Sequence, residues 1–252
     1  ASAQWHDREL ILNCLPTSIN LRETTTERDT ILVTGPNSRK ILSGLTDADL
    51  SQKWLSHQFA TVAGSKAFLI RMSFAGELGW EIHAENQKMP VIYDAIIQAG
   101  VKPFGMWALN SLRLEKGYRT WKGDLSTDYS MFEGGLDRYI KLNKPEDFSG
   151  KKSLLIEKQK KSKRRFVRLI VDADSFDAPY MSTLWYHGEV VGEITSGAWG
   201  YRVNASVALA ILRADLAKAG TEIEVEIYEN LYKATVQKNK PLWDPGNERL
   251  RA

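Results

Sequence analysis

The chain has 252 residues, 43% of them apolar and 26% charged, enough to bury about three quarters of the unfolded surface without cross-links and far from disordered or collagen-like composition. Its 34 basic and 31 acidic residues leave a net charge of +3, too even a balance for a nucleic-acid footprint. One cysteine, Cys14, and four scattered histidines, His6, His57, His83 and His187, exclude a disulfide framework and predict no metal site, and no apolar run nears the ~18 residues of a membrane span.

A reducing compartment fits this cysteine usage: the cytoplasm, or the mitochondrial matrix in a eukaryote. The start, ASAQWHDREL, has neither the apolar core of a signal peptide nor an initiator Met. In chain order, HDRELILNCL reads as a helix, ILVTG as a strand stopped by Gly35-Pro36, and SRKILSGL as a helix capped by Asn37 or Ser38. AFLIRMSF predicts a strand over Ala67 to Phe74, GELG a tight turn and WEIHAE a second strand, together a hairpin. PVIYDAIIQAG follows as an amphipathic helix with Pro90 in its first turn and Gly100 past its end. GMWALNSLRLEKG is a second helix, whose Met106, Trp107, Leu109, Leu112 and Leu114 surround the axis and predict burial.

LLIEKQKKSKRR carries six lysines and arginines in its last eight positions. A charge run this short reads as a solvated hinge rather than a phosphate or membrane patch. Beyond it FVRLIV, TLWYHGEVVGEIT, VALAIL and TEIEVEIY alternate in short runs, as in a small antiparallel barrel or sandwich. The fold class is therefore α+β, with a first domain over residues 1–157, a basic linker over 158–165 and a second domain over 166–252.

Three places could carry chemistry. Glu81, between Trp80 and Ile82, shares a strand face with Gly79 and His83, away from its apolar neighbours. A carboxylate held there wants a partner with two parallel N–H donors, such as an arginine or an aminopyrimidine edge; an ordinary ion pair or a solvent-facing glutamate is the alternative. Arg113 lies among the apolar residues of its helix and needs an anion, either Glu115, Asp124 or an acidic ligand. The following loop gathers Tyr118, Trp121, Tyr129 and Phe132 with Asp124 and Glu133, a wall for a flat ligand or simply core. No nucleophile elbow, cysteine-histidine pair or glycine-rich phosphate loop is present.

The ordered set GPNSRKIL, FAGELGWEI, ALNSLRLEKGY, WKGDLS and FEGGL resembles the folate-binding domain of the aminomethyltransferase family, the T-protein of the glycine cleavage system. GEITSGAWGYRVNASVALAIL and PLWDPGNERLRA are similar to the tetrahydrofolate-binding half of dimethylglycine and sarcosine dehydrogenases. The resemblance implies a partial aminomethyltransferase fold of mixed sheets and helices, followed by a small antiparallel β-barrel. It implies folate-binding roles for Glu81 on the pterin edge, Phe74 where the family has a tyrosine, Arg113 and Trp121, with Glu77 in a turn.

The family's catalytic aspartate would lie upstream of Ala1, so no catalytic residue is assigned within the chain, which is expected to bind folate weakly and turn over little by itself. The implied ligand is tetrahydrofolate, with FAD in an absent N-terminal domain. The implied partners are a small methylated amine and that missing segment or flavoprotein domain. The implied reaction captures a one-carbon unit as 5,10-methylene-tetrahydrofolate. A free T-protein and a non-catalytic folate-binding scaffold are the other readings. The iron–sulfur branch of the family has a KGCYxGQ-like motif that EKGYRTW lacks.

Overall fold

The computed structural model describes residues 3–173 and 176–252. The chain divides into two compact units, one running to Gly105 and including Gly246–Ala252, the other Met106–Pro245. Lys158 and Lys160 of the basic run close helix α5 (Lys151–Lys160) and Arg164 opens strand β5 (Arg164–Val171), leaving residues 161–163 as the connection.

In the first unit, β1 (Arg28–Thr34), β2 (His57–Val62), β3 (Ser65–Ile70) and β4 (Gly79–Glu85) form an antiparallel sheet in the order β1-β4-β3-β2. Alternation fixes its faces: Val33, Leu69, Trp80 and Ile82 point to one side and bury against Leu42 of α2 (Ser38–Leu42) and Ile92 and Ile96 of α3 (Met89–Gln98). Arg71 and Arg39 lie 5.3 and 5.8 Å from the Trp80 ring, and both donate to the Ala252 carbonyl oxygen at 2.6 Å. Helix α1 (Gln4–Cys14) buries none of its side chains.

The hairpin expected at 67–85 is corrected in one respect. The ladder stops at Ile70, because Met72 N–H turns back to the Ile70 carbonyl at 3.0 Å, and the chain rejoins the sheet where Gly35 N–H reaches the Leu78 carbonyl at 2.8 Å. Residues 71–78, including Phe74, are thus a loop and not a strand end with a tight turn.

In the second unit, β5, β6 (Thr183–Tyr186), β7 (Glu189–Gly200), β8 (Ala205–Arg213), β9 (Glu222–Ile227) and β10 (Asn230–Val236) close an antiparallel barrel in the order β10-β5-β8-β7-β6-β9. Val167, Leu169, Ile194, Val225 and Val236 fill its interior. Closure leaves no edge strand to aggregate. The run TLWYHGEVVGEIT splits at His187 and Gly188, both left-handed (φ 51° and 79°), as a two-residue hairpin loop requires. Strand β10 had no sequence signal of that kind: its hairpin turns on Tyr228 and Glu229, left-handed at φ 49° and 66° without a glycine or asparagine.

Gly197 of β7 passes so close to the neighbouring segment that a Cβ would stand 2.1 Å from the Ala178 carbonyl oxygen. A backbone atom cannot swing aside, so Gly197→Ala is expected to destabilise by about 1–3 kcal/mol, read as a lower midpoint in urea unfolding; an unchanged midpoint would contradict this packing.

Helix α4 (Met106–Lys116) meets the expected burial at Leu114 and departs from it at its first turn and at its polar residues. Trp107 is 90% exposed and Met106 is also exposed, whereas the buried residues are Ser111, Arg113, Leu114, Glu115 and Lys116. Counting apolar residues around the axis misleads here because the polar ones are all paired. Ser111 Oγ donates to the Trp199 carbonyl at 2.5 Å, Glu115 accepts the Arg202 amide at 2.7 Å and its guanidinium, and Lys116 Nζ donates to the Asp244 carbonyl at 2.8 Å. Paired in this way, buried polar groups avoid the desolvation cost that would otherwise expel them.

Candidate functional site

The first centre is the sheet face opposite the core of the first unit. Glu81 is flanked across the ladder by Leu32 of β1 and Ile70 of β3, and along β4 by His83. His83 is held by Thr30, whose Oγ1 lies 2.8 Å from Nδ1, and neighbours the Phe68 ring at 6.0 Å. Glu81 Oε2 stands 3.3 Å from His83 Nε2, yet Nε2 makes no hydrogen bond. The contact is close but misaligned. Glu81 is 26% exposed and accepts no side-chain hydrogen bond among the described residues. A largely covered carboxylate with apolar neighbours and unused lone pairs is suited to a planar donor pair.

Gly79 does not open the backbone to a ligand: a Cβ there would stand 2.9 Å from the Val33 carbonyl and 3.0 Å from Ser73 Cβ. It admits the protein's own loop, whose Ser73 Oγ is 2.9 Å from Thr34 Oγ1. Glu77 lies in that loop, buried, with Arg249 Nη1 at 3.8 Å from its carboxylate. Phe74 is half-buried in the same loop.

The second centre lies in the second unit. Arg113 and Asp124 are 3% and 0% exposed and pair at 2.6 Å, which resolves the choice of anion in favour of Asp124; Glu115 serves Arg202 instead. Every N–H of Arg113 is engaged: Nη1 donates to Asp124 and to the Tyr118 carbonyl at 2.9 Å, Nη2 to Asn110 and Ser196 at 2.7 Å each, and Nε to Asn110 at 3.0 Å. Burial pulls the guanidinium's proton affinity down and Asp124 works against that. Asp124 also accepts Thr120 N–H at 2.9 Å and Thr195 Oγ1 at 2.6 Å. The register of β7 against β8 shifts between Ile194 and Ser196, and this bulge is what delivers the adjacent hydroxyls of Thr195 and Ser196 to one ion pair.

The pair therefore ties the loop after α4 to the barrel wall. That loop carries Trp121, 50% exposed, with its backbone in a short bridge to Leu125. Of the other aromatics, Tyr129 packs on the barrel and donates to Glu193 at 2.5 Å. Asn110 was visible in the sequence as the residue one helical turn before Arg113; Thr195 and Ser196, about eighty residues away, carried no local signal. Glu81 and Phe74 thus belong to the sheet unit, and Arg113 and Trp121 to the barrel unit.

An antiparallel sheet unit with a carboxylate on the face away from its core, and a closed barrel unit with a buried arginine centre, define the class as a two-unit α+β protein. The GCVT N-terminal domain model matches residues 1–144 and the glycine cleavage T-protein C-terminal barrel domain matches residues 164–244. The chain belongs to the glycine cleavage T-protein family. It is 37% identical over 241 residues to a mitochondrial dimethylglycine dehydrogenase of Rattus norvegicus, covering 92% of this chain and 28% of that protein. It is 31% identical to a mitochondrial sarcosine dehydrogenase of Mus musculus, over all of this chain and 29% of that protein. An aminomethyltransferase of Listeria innocua is 31% identical, over 91% of this chain and 64% of that one. The chain thus spans less than a third of the dehydrogenases. The crystal structure of glycine cleavage system aminomethyltransferase T from Bartonella henselae superposes with a TM-score of 0.79 at 22% identity, over 86% of this chain and 60% of that one, a likeness of fold.

Proposed function

We propose that the chain is a tetrahydrofolate-binding one-carbon module of a dimethylglycine or sarcosine dehydrogenase-like enzyme. It takes a carbon unit released from an N-methyl amine and holds the folate nitrogens that become 5,10-methylene-tetrahydrofolate. The observation that carries this reading is Glu81: a carboxylate on a partly apolar sheet face that, beyond the misaligned His83 contact, accepts no side-chain hydrogen bond among the described residues, matched to the twin N–H edge of a pterin. Phe74, in the adjoining loop, supplies an aromatic contact without the hydroxyl of a tyrosine. Trp121 offers a half-exposed indole to a flat heteroaromatic group.

Arg113 is a positioning residue, since its donors are spent within the protein; it holds the loop that carries Trp121. The chain contributes binding and orientation, which lower the barrier by fixing reactants close together. In this reading the amine oxidation takes place at a flavin held by other residues of the dehydrogenase-like enzyme.

Calorimetric titration of the 252-residue chain with 5-formyl-tetrahydrofolate, carried to ligand concentrations high enough for a weak complex, is expected to show weak but saturable binding. Trp121→Ala should weaken it by about 0.5–1.5 kcal/mol while moving the unfolding free energy by less than about 0.5 kcal/mol, as for an exposed side chain. A collapse of stability instead would make Trp121 a packing residue, and no binding to the wild-type chain would reject the folate reading.

A further inference from the structure

On the outer wall of the barrel, β5 presents Phe166 and Arg168 side by side along the strand face. Arg168 is 8% exposed, its Nη1 donates to Asn239 at 2.9 Å, and its buried Nε has no acceptor among the described residues. Arg119, just after α4, stacks its guanidinium 3.8 Å from the Phe166 ring, donates to the Gly135 carbonyl at 3.2 Å, and likewise has a buried Nε with no partner among the described residues. Arg168 lies 5.8 Å from the same ring. Arg138, exposed, donates to Tyr139 at 2.5 Å. Among the described residues no carboxylate forms an ion pair with any of the three.

Two glycines make the space. At Gly117 (φ +66°) a Cβ would stand 1.9 Å from Arg168 Nε, and at Gly135 (φ +67°) 2.8 Å from Arg119 Nη2. Both positions combine a left-handed backbone, which favours glycine, with a guanidinium lying where a side chain would otherwise begin. Burial and the positive charge of Arg168, with a smaller push from Arg138, draw the Arg119 guanidinium down to about 10 against the opposing pull of Asp124 and Tyr139; burial and Arg138 lower Arg168 as well. Two desolvated cations facing one ring, with donors unspent, are charge-frustrated unless an anion joins them. A structural arginine in this family-sized network looks different: Arg113 has its aspartate and no idle N–H.

We propose that Arg119 and Arg168, with Arg138 at the rim, form a binding site for a small oxyanion, a carboxylate or phosphate group. Guanidinium forks match such groups through paired charge-assisted hydrogen bonds. The inference does not rest on the folate reading, since no residue of Glu81's sheet face takes part. The anion can be a free metabolite or a carboxylate pendant on a larger ligand, and the two sources are separable by experiment.

Inorganic phosphate and glutarate titrated into the 252-residue chain should bind saturably and raise the thermal midpoint, because a ligand that binds only the folded state stabilises it. Arg119→Gln should weaken glutarate binding about tenfold or more without lowering the midpoint of the ligand-free protein, since it removes a repelling charge. A merely structural arginine would do the reverse. Arg138→Gln, at an exposed position, should fold normally and weaken binding by a smaller factor. Competition with glutarate by 5-formyl-tetrahydrofolate, but not by its glutamate-free pteroate, would assign the anion to the folate tail; no competition by either would assign it to a free anion. Absence of saturable binding by either probe, or wild-type affinity in both variants, overturns the proposal.

Discussion

Replacing Asp124 by alanine is expected to lower the unfolding free energy by about 3–5 kcal/mol, the cost of leaving a buried charge without its partner. Asp124 is fully buried and accepts from Arg113, from Thr120 and from Thr195. Its loss strands a guanidinium that is itself 97% covered, as its 3% exposure shows, and leaves the Thr195 hydroxyl without its acceptor. Asp124→Asn keeps the shape and an acceptor oxygen, so the difference between the two variants separates charge from geometry. Urea unfolding followed by tryptophan fluorescence reads both. A loss under about 1 kcal/mol in Asp124→Ala would mean that water or another group takes over the site, contrary to the cost of an unpaired buried charge. The loop that carries Trp121 should also loosen, measured as faster amide exchange at residues 118–125.

The second large effect concerns binding. Glu81→Gln exchanges one acceptor oxygen for a donor of equal size, so that an incoming N–H pair meets one N–H and one oxygen. Folate affinity should drop by about 1.5–3 kcal/mol, roughly ten- to 150-fold. Stability should hardly change, because among the described residues no donor is hydrogen-bonded to the carboxylate and the residue is partly exposed. Calorimetry with 5-formyl-tetrahydrofolate measures the first and thermal unfolding the second. Equal affinities for the two proteins would remove Glu81 from the binding site. A large stability loss would point instead to the His83 contact as its purpose.

Comparison of α4 with β4 shows which features were legible along the chain. In β4 the two-residue period is enough: Trp80, Ile82 and Ala84 go to the core, and Glu81 and His83 to the other face, because successive side chains cannot share a side. In α4 the same kind of count fails. Met106 and Trp107 stand in the open while Arg113, Glu115 and Lys116 are covered. Hydrophobicity ranks residues by the cost of their exposure, but a charged group with all its donors or acceptors engaged no longer carries the cost that the ranking assumes.

The β9–β10 hairpin was illegible for a related reason. Tyr228 and Glu229 adopt left-handed conformations that their residue types disfavour, held there by the ladder on either side.

The amino-acid order by itself determined much of the alternation of helices and strands, the stops at Gly35 and Gly100, the direction of Glu81 away from its apolar neighbours and the short antiparallel strands of the C-terminal part. These follow from periodicity and backbone freedom, which act over a few residues. Only the tertiary structure decided that Asp124 and not Glu115 neutralises Arg113, that a bulge brings Thr195 and Ser196 to that pair, and that Arg119 and Arg168 share one phenylalanine. Each of these joins residues far apart in the chain, and what they are worth depends on how much water the fold removes between them.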